Sequence, residues 1–181
     1  MILAALWFFL PAGLANGLPV LVKKLPYVRS WNTPLDFGKK VSGQPLFGPN
    51  KTWRGLFTGI IVATLVIGLQ KFLTQHLSWF ADISWIDYRP VSVWLLGPLF
   101  GAGALLGDAV ESFFKRRRGT APGQPWFPYD QIDYIIGGCL FSLAVVQLPL
   151  AYYIWILAVW LGMHMLFVYI FYLIGVRDKP I

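Results

Sequence analysis

The feature that most limits what this chain can become is the length of its apolar runs. Residues 2–22, 55–77, 91–114, 132–147 and 150–174 are predominantly apolar, and a helix needs about 20 such residues to cross a hydrocarbon core roughly 30 Å thick. The fourth run is short and only Leu148 and Pro149 divide it from the fifth, which predicts a tight helical hairpin. Charged residues make up 13% of the chain, whereas a soluble domain carries about 25%. The sequence therefore predicts an all-α integral membrane protein, with residues 1–181 forming one domain of five transmembrane helices.

The opening MILAALWFFLPAGLANG has the apolar core of a secretory signal, but no Lys or Arg precedes it and Lys23-Lys24 follow it. A signal has the opposite charge order, so the segment reads as an uncleaved first span. Thirteen of the 15 basic residues fall on one side of the predicted spans, Lys71 and Arg89 being the other two. The positive-inside rule then places the N-terminus outside, the C-terminus in the cytoplasm, and both long loops in the cytoplasm. The expected location is the cell (plasma) membrane, with any site in those loops facing nucleotides.

The net charge of +7 does not point to nucleic acid, because the cations flank apolar spans; an anionic lipid surface or anionic substrate fits better. The single cysteine, Cys139, lies inside an apolar run and leaves no disulfide or zinc framework. Gly97 with Gly101, Gly103 with Gly107, and Gly55 with Gly59 form G-x-x-x-G pairs, which let helices approach closely in lipid. Trp79, Trp85, Tyr88 and Trp94 surround the outer loop, where interfacial anchors belong. There is no internal repeat of the kind that marks an inverted transporter duplication.

The polar residues concentrate at one end of the spans. Asp108, Ser112 and Lys115 share a helical face at i, i+4 and i+7, with Glu111 beside them. A carboxylate at Asp108, near the headgroup boundary, is costly unless paired or metal-bound. Glu111 reads either as a salt-bridge partner of Lys115 at i, i+4 or as part of a site. Asp130 and Asp133 share a face at the start of the fourth span; a helix N-terminus also favours acids for capping and dipole reasons. Three aspartates at two helix ends, with cations between them, suit Mg²⁺, which binds one or two carboxylates together with substrate phosphates. Lys115 and Arg116 would then meet phosphate oxygens, although the block from Lys115 to Arg118 also serves as a topology determinant.

In the first loop, residues 43–52 nearly spell a P-loop, but the Gly-to-Lys spacing is wrong and no strand precedes it. Ser42-Gly43 predicts a small hairpin. Lys51, Thr52 and Arg54 open the second span, a plausible phosphate cradle at a helix N-terminus. Asn16, in LANGLP, either bonds substrate or ends the first helix before Pro19. His164, among Met163, Met165 and aromatics, reads as a packed, hydrogen-bonded group rather than a ligand.

Ser112-x-x-Lys115-Arg116 followed by Asp130-x-x-Asp133 resembles the signature of the CDP-diacylglycerol synthase superfamily. The fuller pattern resembles its small five-span branch, the CDP-archaeol synthases: LANGLP (14–19), PLDFG (34–38), FGPNKTWRG (47–55), GDAVESFFKRRRG (107–119) and PYDQIDY (128–134). The superfamily's Lys-Asp pair and Gly-His-Gly-Gly stretch have no counterpart; GTAPGQPWFPYD (119–130) stands there instead, in keeping with the proline-rich loop of the smaller branch. The resemblance implies a cytidylyltransferase that joins CTP to a membrane lipid phosphate with Mg²⁺ and releases pyrophosphate. In the named branch that lipid is unsaturated archaetidic acid, 2,3-bis-O-geranylgeranylglycerol 1-phosphate; the alternative reading is a CDP-diacylglycerol synthase acting on phosphatidic acid. On this reading Asp108, Asp130 and Asp133 hold metal, Lys115 and Arg116 contact phosphates, and Lys51, Thr52, Arg54, Ser112 and Asn16 line the substrate sites. A small transporter would instead place polar groups through the membrane, and a non-catalytic scaffold would leave Asp108 unexplained.

Overall fold

The computed structural model describes residues 1–22, 25–28 and 30–174, without the Phe171 side chain. Lys23, Lys24, Arg29, Arg177 and Lys179, which enter the charge argument above, lie outside the described residues. The described chain runs α1 (Ile2–Gly17), α2 (Pro19–Val22), β1 (Lys40–Val41), β2 (Gln44–Pro45), α3 (Trp53–His76), α4 (Ser78–Asp82), α5 (Val93–Arg117), α6 (Tyr129–Ser142) and α7 (Leu150–Leu173).

Among the described residues, four helical segments are long and apolar enough to cross a membrane: Ile2–Val22, Trp53–His76, Val93–Arg117 and Leu150–Ile170. The predicted fourth span at 132–147 differs. Its helix, α6, is 14 residues long, about 21 Å at 1.5 Å per residue. The chain then turns through residues 143–149 before α7. Tyr153 holds that turn, its hydroxyl accepting from the Leu148 N–H (3.2 Å) and donating to the Val146 carbonyl (3.3 Å). The expected two-residue hairpin is thus a seven-residue connection. The predicted small hairpin is present: Lys40 pairs with Pro45 and Val41 with Gln44. Ser42 and Gly43 turn it with φ of 52° and 79°, as a two-residue type I′ turn requires.

Helix α1 sits at the centre and packs against α3, α5, α6 and α7. Phe8 and Phe9 meet Phe100 of α5 edge-on at 5.4 and 5.9 Å between ring centres. Phe9 also meets Trp160 of α7 at 5.4 Å, and the Trp160 indole N–H donates to the Ala5 carbonyl at 3.1 Å. Pro11 interrupts α1. It has no N–H for the Trp7 carbonyl one turn back, and a bare carbonyl inside lipid is costly. The buried Gln70 side chain of α3 donates to that carbonyl instead. Of the four outer-loop aromatics, Trp94 and Trp79 are exposed, as anchors should be, whereas Tyr88 is buried in the core.

The glycines of α5 set the register of the whole bundle. A Cβ at Gly101 would lie 2.6 Å from Ile60 Cα and 2.7 Å from the Gly59 carbonyl, so this stripe seats α5 on α3. A Cβ at Gly107 would collide with the Asp133 carbonyl, so the second stripe seats α5 on α6. That second contact carries functional weight, because it brings Asp108 beside Asp133.

Candidate active site

The site forms where the charged ends of α5 and α6 meet the loop before α3. Asp108, Glu111 and Asp133 each offer a carboxylate oxygen, and the three oxygens lie within 4.8 Å of one another. Two come from one face of α5 and the third from α6, held across the Gly107 contact. Glu111 and Asp133 are buried and Asp108 is half-buried. Three converging carboxylates in a sheltered place repel one another, so the cluster calls for a cation. Its donor set is entirely carboxylate oxygen, which suits a hard divalent ion.

Protein cations partly meet that demand. Lys51, from the loop before α3, donates to Asp108 Oδ1 at 2.6 Å. Lys115 donates to Asp130 Oδ1 at 2.6 Å and lies 3.5 Å from Glu111 Oε1. The other oxygen of Asp130 accepts the Trp126 N–H at 2.6 Å. Asp130 thus engages Lys115, the loop before α6 and the Glu111 side chain, and it borders the acidic cluster from the first cavity. The two readings of Glu111 are both present, since it faces Lys115 and the other carboxylates at once.

The four consecutive cations that end α5 separate into different tasks. Lys115 joins Asp130. Arg116 is buried, and its Nε and Nη1 have no hydrogen-bond partner among the described residues. Arg117 clasps the hairpin, donating to the carbonyls of Val41, Gln44 and Pro45 at 3.2–3.5 Å. Arg118 lies over the Trp126 ring, 5.2 Å from its centre.

Two cavities meet at Asp108; Glu111 lines the first and Asp133 lines neither. The first, about 620 Å³, takes Asp108, Glu111, Ser112, Lys115, Arg116 and Asp130 into its walls. Proline-rich residues 122–125 and His164 of α7 close other sides of it. The second, about 510 Å³, is lined by Asn16, Lys51, Thr52, Arg54 and Asp108 together with Val20, Leu35, Leu56 and Leu105. Pro49, Asn50, Lys51 and Asp108 belong to both. Every residue expected to bind substrate thus lines one cavity or the other. Their free groups differ: the Thr52 hydroxyl caps α3 by accepting the Gly55 N–H at 3.2 Å, and Arg54 Nη1 donates to the Val28 carbonyl at 3.1 Å.

Two residues that line the site, Asn50 and Gln131, were not singled out from the sequence. Asn50 stands at the junction of the cavities, and its position inside FGPNKTWRG was the only signal for it. Gln131, between the two aspartates of α6, is buried, its Oε1 has no hydrogen-bond partner among the described residues, and it lines the first cavity. His164, which the sequence reads as a packed, hydrogen-bonded group, has an interaction partner and also faces the first cavity.

Comparison with known proteins decides the family. The family described as CarS-like, CDP-archaeol synthase, matches residues 1–181. The CDP-archaeol synthase of Thermococcus onnurineus is 34% identical over 180 residues, covering 99% of this chain and 96% of that protein. The chain belongs to the CDP-archaeol synthase family. The corresponding protein of Methanocaldococcus jannaschii is 32% identical, covering 98% and 96% of the two chains. A solved structure described as an intramembrane enzyme for archaeal membrane lipids biosynthesis matches with a TM-score of 0.72 and 27% identity, covering 92% of this chain and 93% of its own. Within the CDP-archaeol synthase family, then, the cluster and its two cavities stand in a helical membrane enzyme.

Proposed function

We propose that this protein is a CTP-dependent cytidylyltransferase that converts unsaturated archaetidic acid to CDP-archaeol. The observation that carries the reading is the junction: Asp108 stands where the two cavities meet, Glu111 lines the first, and their carboxylate oxygens lie within 4.8 Å of that of Asp133. In the reaction a lipid phosphate oxygen attacks the α-phosphorus of CTP. The new P–O bond forms as the bond to the β-phosphate bridging oxygen breaks, and pyrophosphate leaves. A phosphate oxygen is already nucleophilic near neutral pH, so the chain need supply no general base. Positioning and charge neutralisation carry such transfers.

The first cavity takes the nucleotide. Arg116, whose buried Nε and Nη1 have no hydrogen-bond partner among the described residues, and Lys115 contact its phosphates, and Ser112 lines the same wall. Asp130 holds Lys115 in place. The second cavity takes the lipid phosphate at Lys51, with Asn16, Thr52 and Arg54 in its walls and its tails along the apolar side. Asp108, Glu111 and Asp133 would hold Mg²⁺, which supplies charge neutralisation for the triphosphate when bound. Lys51 bridges the two halves, being seated on Asp108 and exposed to both cavities.

The family's reaction faces CTP, and the charge asymmetry of the loops supports a cytoplasmic site with the N-terminus outside. On that topology α6 and residues 143–149 complete a fifth crossing of the cell membrane, in one domain spanning residues 1–181.

The test is turnover by purified protein given labelled CTP, Mg²⁺ and either 2,3-bis-O-geranylgeranylglycerol 1-phosphate or phosphatidic acid. CDP-lipid from the ether lipid supports the proposal. Product from phosphatidic acid alone would reassign the acceptor, and no product from either, with folded protein, would remove the enzymatic reading.

A further inference from the structure

Four aromatic rings form a continuous run at the start of α3, with Phe37, Phe57 and Trp31 exposed and Trp53 half-buried between them. Trp31 stacks on Phe57 at 5.8 Å, Phe57 meets Trp53 at 5.9 Å, and Trp53 meets Phe37 at 5.9 Å. Phe37 is 67% exposed, Phe57 45% and Trp31 44%. The rings belong to two parts of the chain that are fixed to each other. Leu35 N–H donates to the Lys51 carbonyl at 2.8 Å, and Trp53 N–H to the Thr33 carbonyl at 3.0 Å. The loop therefore has a defined register on α3.

Phe37 is held in an unusual backbone state. Its φ is 52°, a left-handed conformation uncommon for a bulky residue. Asp36 holds the turn, its carboxylate accepting the N–H groups of Gly38 and Phe47 at 2.9 Å and of Gly48 at 3.3 Å. The local structure thus keeps a large apolar side chain facing outward, a cost that persists only where its surroundings impose it.

What covers these rings follows from α3. Phe57, Ile61, Leu65 and Leu69 recur at i+4 and are all exposed, so they form one outward stripe on a helix long and apolar enough to span a membrane. Phe57 is the first residue of that stripe, about 6 Å along the axis from Trp53. The aromatic run continues the lipid-facing stripe off the helix end and onto the loop. Beyond it Lys39 and Lys40 are exposed, in the arrangement of rings at the headgroup level and cations outside them.

We propose that residues 31–47 form an interfacial foot. The rings of Trp31, Phe57, Trp53 and Phe37 rest at the headgroup–acyl boundary, and Lys39 and Lys40 face anionic headgroups. The same loop gives Leu35 to the second cavity, so docking on the bilayer fixes one wall of that cavity. This surface does not depend on the reaction assigned above.

The experiment uses the full chain with Cys139→Ala, since Cys139 is the only cysteine, reconstituted in phosphatidylglycerol–phosphatidylcholine vesicles. Nitroxide labels go on Phe37→Cys and, independently of the Phe37 turn, Trp31→Cys. Ile61→Cys gives a lipid-facing reference and Ser42→Cys a hairpin reference. Oxygen concentrates among acyl chains and a polar nickel chelate is excluded from them. The oxygen-to-nickel accessibility ratio at residues 31 and 37 should exceed that at residue 42 by about threefold or more and approach that at residue 61. Ratios equal to that at residue 42 would overturn the proposal. So would labels shielded from both reagents and broadened by spin–spin coupling, because a second copy would then cover the rings.

Discussion

Gly107→Ala tests whether the active site is assembled by the α5–α6 seam. The added Cβ would press into the Asp133 carbonyl and lie 3.1 Å from Gly137 Cα, where ordinary contact begins at about 3.4 Å. Both obstacles are backbone, so no side chain can turn aside; the seam must open by on the order of 1 Å to restore contact. Overpacking of this kind costs about 1–3 kcal/mol. Displacement matters more than stability, because Asp133 moves away from Asp108 and a misplacement of about 1 Å can cost roughly 10²-fold in rate. Gly101→Ala is the control. It meets Ile60 and Gly59 backbone just as tightly, but it strains the α3 seam two turns away. Thermal stability and CDP-lipid formation from labelled CTP should be measured on both variants. The expected result is a similar fall in Tm for the two, with turnover lost about 10²-fold in Gly107→Ala and much less affected in Gly101→Ala. Wild-type turnover in Gly107→Ala, or an equal loss in both, would refute the reasoning.

Three further outcomes follow from individual contacts. Gln70→Leu strips the partner from the Trp7 carbonyl inside the bundle and should lower stability by about 1–3 kcal/mol, read as Tm in detergent. Lys115→Met leaves Asp130 and the buried Glu111 without their shared cation and should destabilise by about 3 kcal/mol; Asp130→Asn should cost less in Tm, because Glu111 still partners Lys115. Burial pushes the Asp36 carboxyl up, but the N–H groups of Phe47, Gly38 and Gly48 outweigh it and hold the group below its ordinary value of 3.8. A depressed carboxyl stabilises the folded turn above that ordinary value, and the contribution disappears as pH falls through the lower folded one. Limited proteolysis of residues 37–47 at graded low pH should show the loop opening in that window, and Asp36→Asn should abolish the pH dependence.

Much of the fold was legible because lipid enforces simple rules. Four of the five predicted spans correspond to helices long enough to cross, and the Ser42-Gly43 turn formed where its residues required it. The short run at 132–147 differs from a single continuous helix for a physical reason. Apolar composition continues past Ser142, but the helix stops there and the apolar residues that follow pack as a turn held by Tyr153. The site was legible as a cluster of charged residues at one end of the spans. Spacing along one helix shows which residues share a face, and it correctly grouped Asp108, Glu111, Ser112 and Lys115. It has no access to contacts across helices. Asp108 has no cation within a helical turn, yet Lys51 reaches it from 57 positions away. Asp130 and Asp133 share a face of α6, but the Gly107 contact brings Asp133 beside Asp108, whereas Asp130 meets Lys115 and Glu111.

The central claim is that Asp108, Glu111 and Asp133 form a divalent-cation site that serves the nucleotide. Titration of Mn²⁺, followed by its EPR signal in the presence of CTP, tests it most directly. Asp108→Asn, Glu111→Gln and Asp133→Asn should each weaken binding by about 10-fold or more, while Asp130→Asn leaves it near the wild-type value. Unchanged Mn²⁺ binding in Glu111→Gln, with loss in Asp130→Asn, would contradict the account and return the third ligand to Asp130.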